Sequence, residues 1–195
     1  MKKIGLKVIG LSYSQSQPGS YIVVLGQKKG NKKIPVIVKP NDAQYIAMKL
    51  ESMKTSAPMT HDLITDITDM LGGNIREVVI HDLVEGQFYC QFALEDRIGE
   101  INMVSCGVGD AISLSLAYKC PLWASKDVLD SAGIVISDDG QVLSDEETND
   151  EISGENEIVS VESLEKMLKE AIESEDYEVA SQLRDKITDL RSQKS

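Results

Sequence analysis

No run of about 18 apolar residues occurs in this chain, so no membrane-spanning helix is expected. Cysteine is scarce. Cys90, Cys106 and Cys120 are odd in number, lack metal-ligand spacing, and fit small core residues in a reducing cytoplasm. The opening MKKIGLKVIGLSYSQSQ alternates apolar residues with glycine and lysine, so it reads as a strand and not a signal peptide. There is no nucleophile elbow, Walker loop, Cys–His zinc set or closely spaced carboxylate cluster. Of the two histidines, His81 lies near a strand end and has no assigned role.

What is present is unevenly distributed. Residues 1–137 hold 14 Lys+Arg against 14 Asp+Glu, whereas residues 138–195 hold 6 against 18, so the whole net charge of −12 lies in the tail. Such a tail repels nucleic acid and argues against nonspecific coating of DNA by the whole chain, but leaves room for a local site on the neutral part. Residues 138–159 are acidic and polar with no aromatic residue, the composition of a flexible linker. They divide a domain over 1–137 from a terminal segment over 160–195.

The domain alternates strand and helix signals. Strands are expected over 3–12, 20–26, 34–38, 75–82, 87–94, 99–105 and 121–124, with a hairpin turn near Glu85–Gly86. A first helix follows Pro40, capped by Asn41, and buries Ala43, Ile46, Ala47, Leu50 and Met53. A second starts at Thr60 and shows Leu63, Ile64, Ile67, Met70 and Leu71 as its apolar face, ending at Gly72–Gly73. A third runs from Asp110 to about Tyr118, and a last is capped by Ser125. Asp42–Ala43 and Asp110–Ala111 each follow a strand, open a helix and precede a proline; duplication and the commonness of such helix starts explain this equally. The fold class is α+β, a mixed or antiparallel sheet with packed helices, then a linker and a C-terminal α-helical hairpin.

Three stretches can carry chemistry. In Pro58–Leu63, His61 beside Asp62 at a helix start suits a metal or a proton, although adjacent helical side chains diverge and a capped helix start explains the same residues. Asp110 follows two glycines, Gly107 and Gly109, which permit close approach of a phosphate; an acid there needs a divalent metal to do so, and a plain N-cap is the alternative. Lys28, Lys29, Lys32 and Lys33 crowd one turn and suit phosphate contact or simple solvation, with no aromatic residue for base stacking.

The segments IPVIVKPNDAQYIAMKL, APMTHDLI, GNIREVVIHDLVEGQFYCQFAL and GDAISLSLAYKCPLWASKDVLDSAGI together resemble the bifunctional nuclease (BFN, DUF151) domain over about residues 3–135. The resemblance implies an oligomeric α+β domain that cleaves DNA or RNA, with Mg²⁺ or another divalent metal and no organic cofactor. On that nuclease reading the candidate catalytic residues are His61, Asp62 and Asp110. Asp62 and Asp110 hold metal or orient water, and His61 transfers a proton or acts as a ligand. The family pattern R-P-L-T-H-D-L has Ala57 in place of its arginine here, and D-A-R-P-S-D-A-I has Ser105 for an acid and Gly107 for an arginine.

The tail also shows a pattern. Leu164, Met167, Leu168, Ala171 and Ile172 line one helical face, and Tyr177, Ala180, Leu183, Ile187 and Leu190 a second, with Asp176 as the cap between them. Such a hairpin cannot cover its own stripe, so it buries it on another copy, another protein or the rest of this chain. AIESEDYEVASQLRDKI is similar to the UVR motif, the helical hairpin of the excision-repair proteins UvrB and UvrC. That resemblance implies partner binding through Leu164, Met167, Ala171, Tyr177, Ala180, Leu183, Arg184 and Ile187. Expected partners are further copies of the chain, a UVR-bearing protein and nucleic acid, in the cytoplasm and away from membranes. The competing reading is a noncatalytic oligomeric adaptor that recruits partners through the hairpin.

Overall fold

The computed structural model of the chain describes residues 2–14, 17, 19–53, 57–135, 161–173 and 176–192; the acidic linker expected at 138–159 lies outside them. In chain order the elements are β1 (Lys3–Tyr13), β2 (Tyr21–Gln27), β3 (Lys32–Val38), α1 (Pro40–Leu50), α2 (Thr60–Met70), β4 (Asn74–Val84), β5 (Gln87–Glu95), β6 (Ile101–Cys106), α3 (Val108–Ala117), β7 (Leu122–Ser125), α4 (Lys126–Ala132), β8 (Ile134–Val135), α5 (Val161–Glu173) and α6 (Tyr177–Ser192).

Strands form one mixed sheet in the order β6-β5-β4-β7-β1-β2-β3-β8. Among the described strands only β4 and β7 pair in parallel. The arrangement repeats: three antiparallel strands followed by a helix, β1-β2-β3-α1, and again β4-β5-β6-α3. Four residues of β7 join the two halves, pairing with β4 on one side and β1 on the other.

Local chemistry explains the elements. Glu85 and Gly86 both take positive φ (50° and 78°), the two-residue turn whose twist suits a hairpin, and β4 and β5 flank it directly. α1 begins one residue before its expected cap, with Pro40 in the first position where its missing N–H costs nothing. Its expected face holds, with Ala43, Ile46 and Ala47 buried and Leu50 and Met53 half-buried. Ser125 caps α4 as expected, its hydroxyl accepting from the Val128 amide at 3.1 Å. α1 and α3 pack side by side, and α3 lies against β4 and β5.

α2 departs from expectation. Of its apolar stripe only Ile64 is half-buried; Leu63, Ile67, Met70 and Leu71 face solvent. The helix rests on α3 instead, and the one residue it buries is His61.

The terminal hairpin forms, and Asp176 caps α6 by accepting from the Val179 amide at 3.2 Å. Its stripe is not carried away from the body. Leu164, Met167, Ala171, Val179, Ala180, Leu183 and Ile187 are buried in one apolar cluster with the sheet and α1, and α5 lies against β1. Of the three possible partners for the stripe, the chain itself is the one found. Lys186 pairs with Glu51 at the end of α1 at 2.7 Å, and the Lys166 ammonium stands 3.6 Å over the Tyr13 ring. Leu164 and Leu183 are fully buried, each contributing about 1.5–3 kcal/mol to the docking. Tyr177 and Arg184 face solvent.

Candidate functional site

The first turns of α1, α2 and α3 meet. They bring Asp42, His61 and Asp110 together so that one donor atom from each lies within 4.8 Å of the others. The positive ends of three helix dipoles point at two carboxylates, which offsets part of the cost of placing acids together. His61 Nε2 lies 3.1 Å from Asp110 Oδ1. His61 is buried, Asp42 half-buried and Asp110 exposed, so the cluster opens to solvent on one side.

Each member is held by its surroundings. The Tyr45 ring stacks beside the His61 imidazole with centroids 4.7 Å apart. Gly109 makes space for Asp42, since a Cβ built there would fall 2.2 Å from Asp42 Oδ2. The glycine just before Asp110 thus serves a carboxylate from the other half of the fold. Burial pushes the Asp42 carboxyl above the usual range, and repulsion from Asp110 adds to this.

Asp62 does not join the cluster. Its Oδ1 accepts from the Tyr45 hydroxyl at 2.9 Å and from Lys49 Nζ at 2.9 Å, and its Oδ2 accepts from the Met59 amide at 3.1 Å. Neighbouring helical residues project about 100° apart, so His61 and Asp62 cannot face one ion together. Burial alone would raise the Asp62 carboxyl, but Lys49, Tyr45 and the Met59 amide hold it below the usual range. Its place is to brace Tyr45 and, through that ring, His61. The residue that reasoning from sequence missed is Asp42. Its signal was the repeated Asp–Ala helix start, which the structure turns into a pair of facing carboxylates.

The lysine turn does not act as one patch. Lys32 Nζ pairs with Asp130 at 2.8 Å, Lys29 is exposed, Lys33 is half-buried on β3, and Lys28 turns toward a cleft beside β1.

Two expected results follow from this geometry. Gly109→Ala displaces the Asp42 carboxylate from the cluster, and a cation held by Asp42, His61 and Asp110 would then bind on the order of 10–100-fold more weakly, while alanine's helix propensity supports α3; titration calorimetry with Mn²⁺ reads the difference between parent and variant. Asp42→Asn raises the melting temperature of the metal-free protein at neutral pH. The folded carboxyl titrates above its unfolded value, so its contribution favours folding below the unfolded value and is lost as pH rises through the folded one. The gain is at most roughly 2–4 °C, because solvent screens a half-exposed group, and it vanishes in acid, where both forms are neutral. Melting curves across pH check the sign.

Residues 23–137 match the family model described as the bifunctional nuclease domain, and residues 159–193 match the UvrB/uvrC motif. Two uncharacterized proteins of Mycobacterium tuberculosis, from different strains, are each 31% identical to the chain over 142 residues, covering 73% of this chain and 81% of theirs.

Proposed function

Because this chain belongs to the bifunctional nuclease domain family, we propose that it hydrolyses phosphodiester bonds of DNA or RNA at the Asp42–His61–Asp110 cluster with a divalent metal. The observation that carries the reading is the convergence of two carboxylates and an imidazole from three separate helices. The donor set fits a cation. Asp42 is held against the charge of Asp110, a repulsion that a cation relieves, and Gly109 leaves a recess sized for the Asp42 carboxylate. Two carboxylates with one imidazole shift preference from Mg²⁺ toward ions such as Mn²⁺. A bound metal would supply Lewis acidity toward the phosphoryl oxygen and a water of lowered pKa.

The chain's own residues then have distinct tasks. Asp42 and Asp110 would hold the cation, whose positive charge would offset theirs toward a phosphate. His61, packed beside Tyr45, presents Nε2 to Asp110 within the cluster, as a ligand or to hold a proton. Asp62 keeps Tyr45 in place.

Cleavage of single-stranded DNA and RNA by the full chain, with Mn²⁺, with Mg²⁺ and with chelator, tests the proposal. Products with metal and none with chelator support it. Intact strands in every arm leave the noncatalytic adaptor, a reading favoured by Ala57 and Gly107 at positions where the family pattern carries arginine. The UVR motif supports association with another protein. The exposed stripe of Leu63, Ile67, Met70 and Leu71 on α2 supports self-association, which sedimentation at several concentrations reads. Among the described residues no helix is long and apolar enough to cross a membrane.

A further inference from the structure

A cleft of about 330 Å³ opens at the far ends of α1 and α3 from the carboxylate cluster. Leu50 and Leu116 form part of its floor, and three lysines, Lys7, Lys28 and Lys119, surround it. Among the described residues none of the three makes an ion pair. Three like charges around one hollow repel each other, and they outweigh the roughly half-charge at each of the two helix C-termini beside them.

Two of the lysines are placed by the fold. The Lys28 amide donates to the Gly5 carbonyl at 2.8 Å, and a Cβ at Gly5 would fall 3.2 Å from Lys28 Cδ, so β1 gives up a side chain to seat the lysine stem. Lys119 closes α3. The Cys120 amide donates to the Ser115 carbonyl and the Lys119 amide to the Leu116 carbonyl, the paired bonds of a helix end whose outer residue is left-handed. Lys119 takes φ 51° there, a conformation in which glycine is free of strain. A lysine kept at a position that favours glycine points to use of its charge.

We propose that this cleft binds the backbone phosphates of a single nucleic-acid strand whose scissile bond lies at the carboxylate cluster, an inference that rests on the nuclease reading above. The nine steps from Asp110 to Lys119, two residues past the end of α3, span about 13 Å, or about four stacked nucleotides at about 3.4 Å each. The cleft supplies the phosphate-binding charge that Ala57 and Gly107 do not.

The test is fluorescence anisotropy of a labelled single strand of about 12 nucleotides, DNA and RNA in turn, on the full chain in chelator over a range of salt. Three phosphate contacts give log K against log salt a slope of about −2, at about 0.7 per contact. The variant Lys7→Gln/Lys28→Gln/Lys119→Gly loses this slope, Lys119→Gly alone loses about 0.7 of it, and the corresponding arginine variant keeps it. Because glycine suits position 119, Lys119→Gly melts no lower than the parent, and its loss of binding is not unfolding. Unchanged affinity and slope in the triple variant overturn the cleft, as does a parent chain that binds neither strand. A strand bound in the cleft but never cut with metal would sink the nuclease reading and leave the cleft standing.

Discussion

Asp110→Asn is expected to reduce metal-dependent cleavage on the order of 10³-fold, which is about 4 kcal/mol of transition-state stabilisation. Asp110 is the exposed member of the cluster, and it lies 3.1 Å from His61 Nε2. Asparagine keeps the shape and removes the charge. Folding does not explain the loss, because Asp110 repels Asp42 in the metal-free protein and its neutralisation relieves that repulsion. The melting temperature without metal therefore holds or rises while turnover falls. Asp62→Asn is the matched control. It touches no cluster atom and acts through Tyr45, so its cost is on the order of 10–100-fold. Cleavage rates at saturating Mn²⁺ rank the two. Equal losses, or an Asp110→Asn enzyme within tenfold of the parent, would place the chemistry elsewhere.

The second large effect belongs to the hairpin. Leu183→Asp is expected to unseat α5 and α6 from the body and leave the sheet intact. Leu183 is fully buried in the shared cluster. Truncating such a leucine costs about 2–5 kcal/mol, and forcing a carboxylate into its place costs several more. Two surface contacts, Lys186 with Glu51 and Lys166 over Tyr13, also tie the hairpin to the body, and neither offsets that loss. Hydrogen exchange should lose protection over residues 161–192 while β1 to β7 keep theirs. Retained protection in the helices would show that the stripe does not hold them. The burial bears on recruitment too. Six of the eight residues that the UVR resemblance marks for partners, Leu164, Met167, Ala171, Ala180, Leu183 and Ile187, are already occupied. A partner must displace the body from them or use the face that carries Tyr177 and Arg184.

Much of this was legible in the sequence because it rests on local rules. The Glu85–Gly86 turn, the Ser125 and Asp176 caps and the face of α1 each depend on residues within a few positions of one another. The stripe of α2 misled for the same reason. Helical periodicity reports that Leu63, Ile67, Met70 and Leu71 share a face, but not whether anything covers it. Asp42 was missed because its meaning comes from α3, 68 positions later, by way of a glycine with no side chain of its own to signal it. His61 and Asp62 are adjacent in sequence and belong to different structures, one to the cluster and one to its support. Strand order was beyond reach as well. Nothing local to Leu122–Ser125 says that so short a strand inserts between β4 and β1.

That insertion has a consequence during synthesis. Each half can form its own meander as it leaves the ribosome, yet the halves have no shared edge until residues 122–125 emerge and stitch them together. Asp42 belongs to the first half and Asp110 to the second. A chain that ends before Asp110 therefore lacks the carboxylate pair, and one that ends before residues 122–125 lacks the strand that ties the two helices' sheets together.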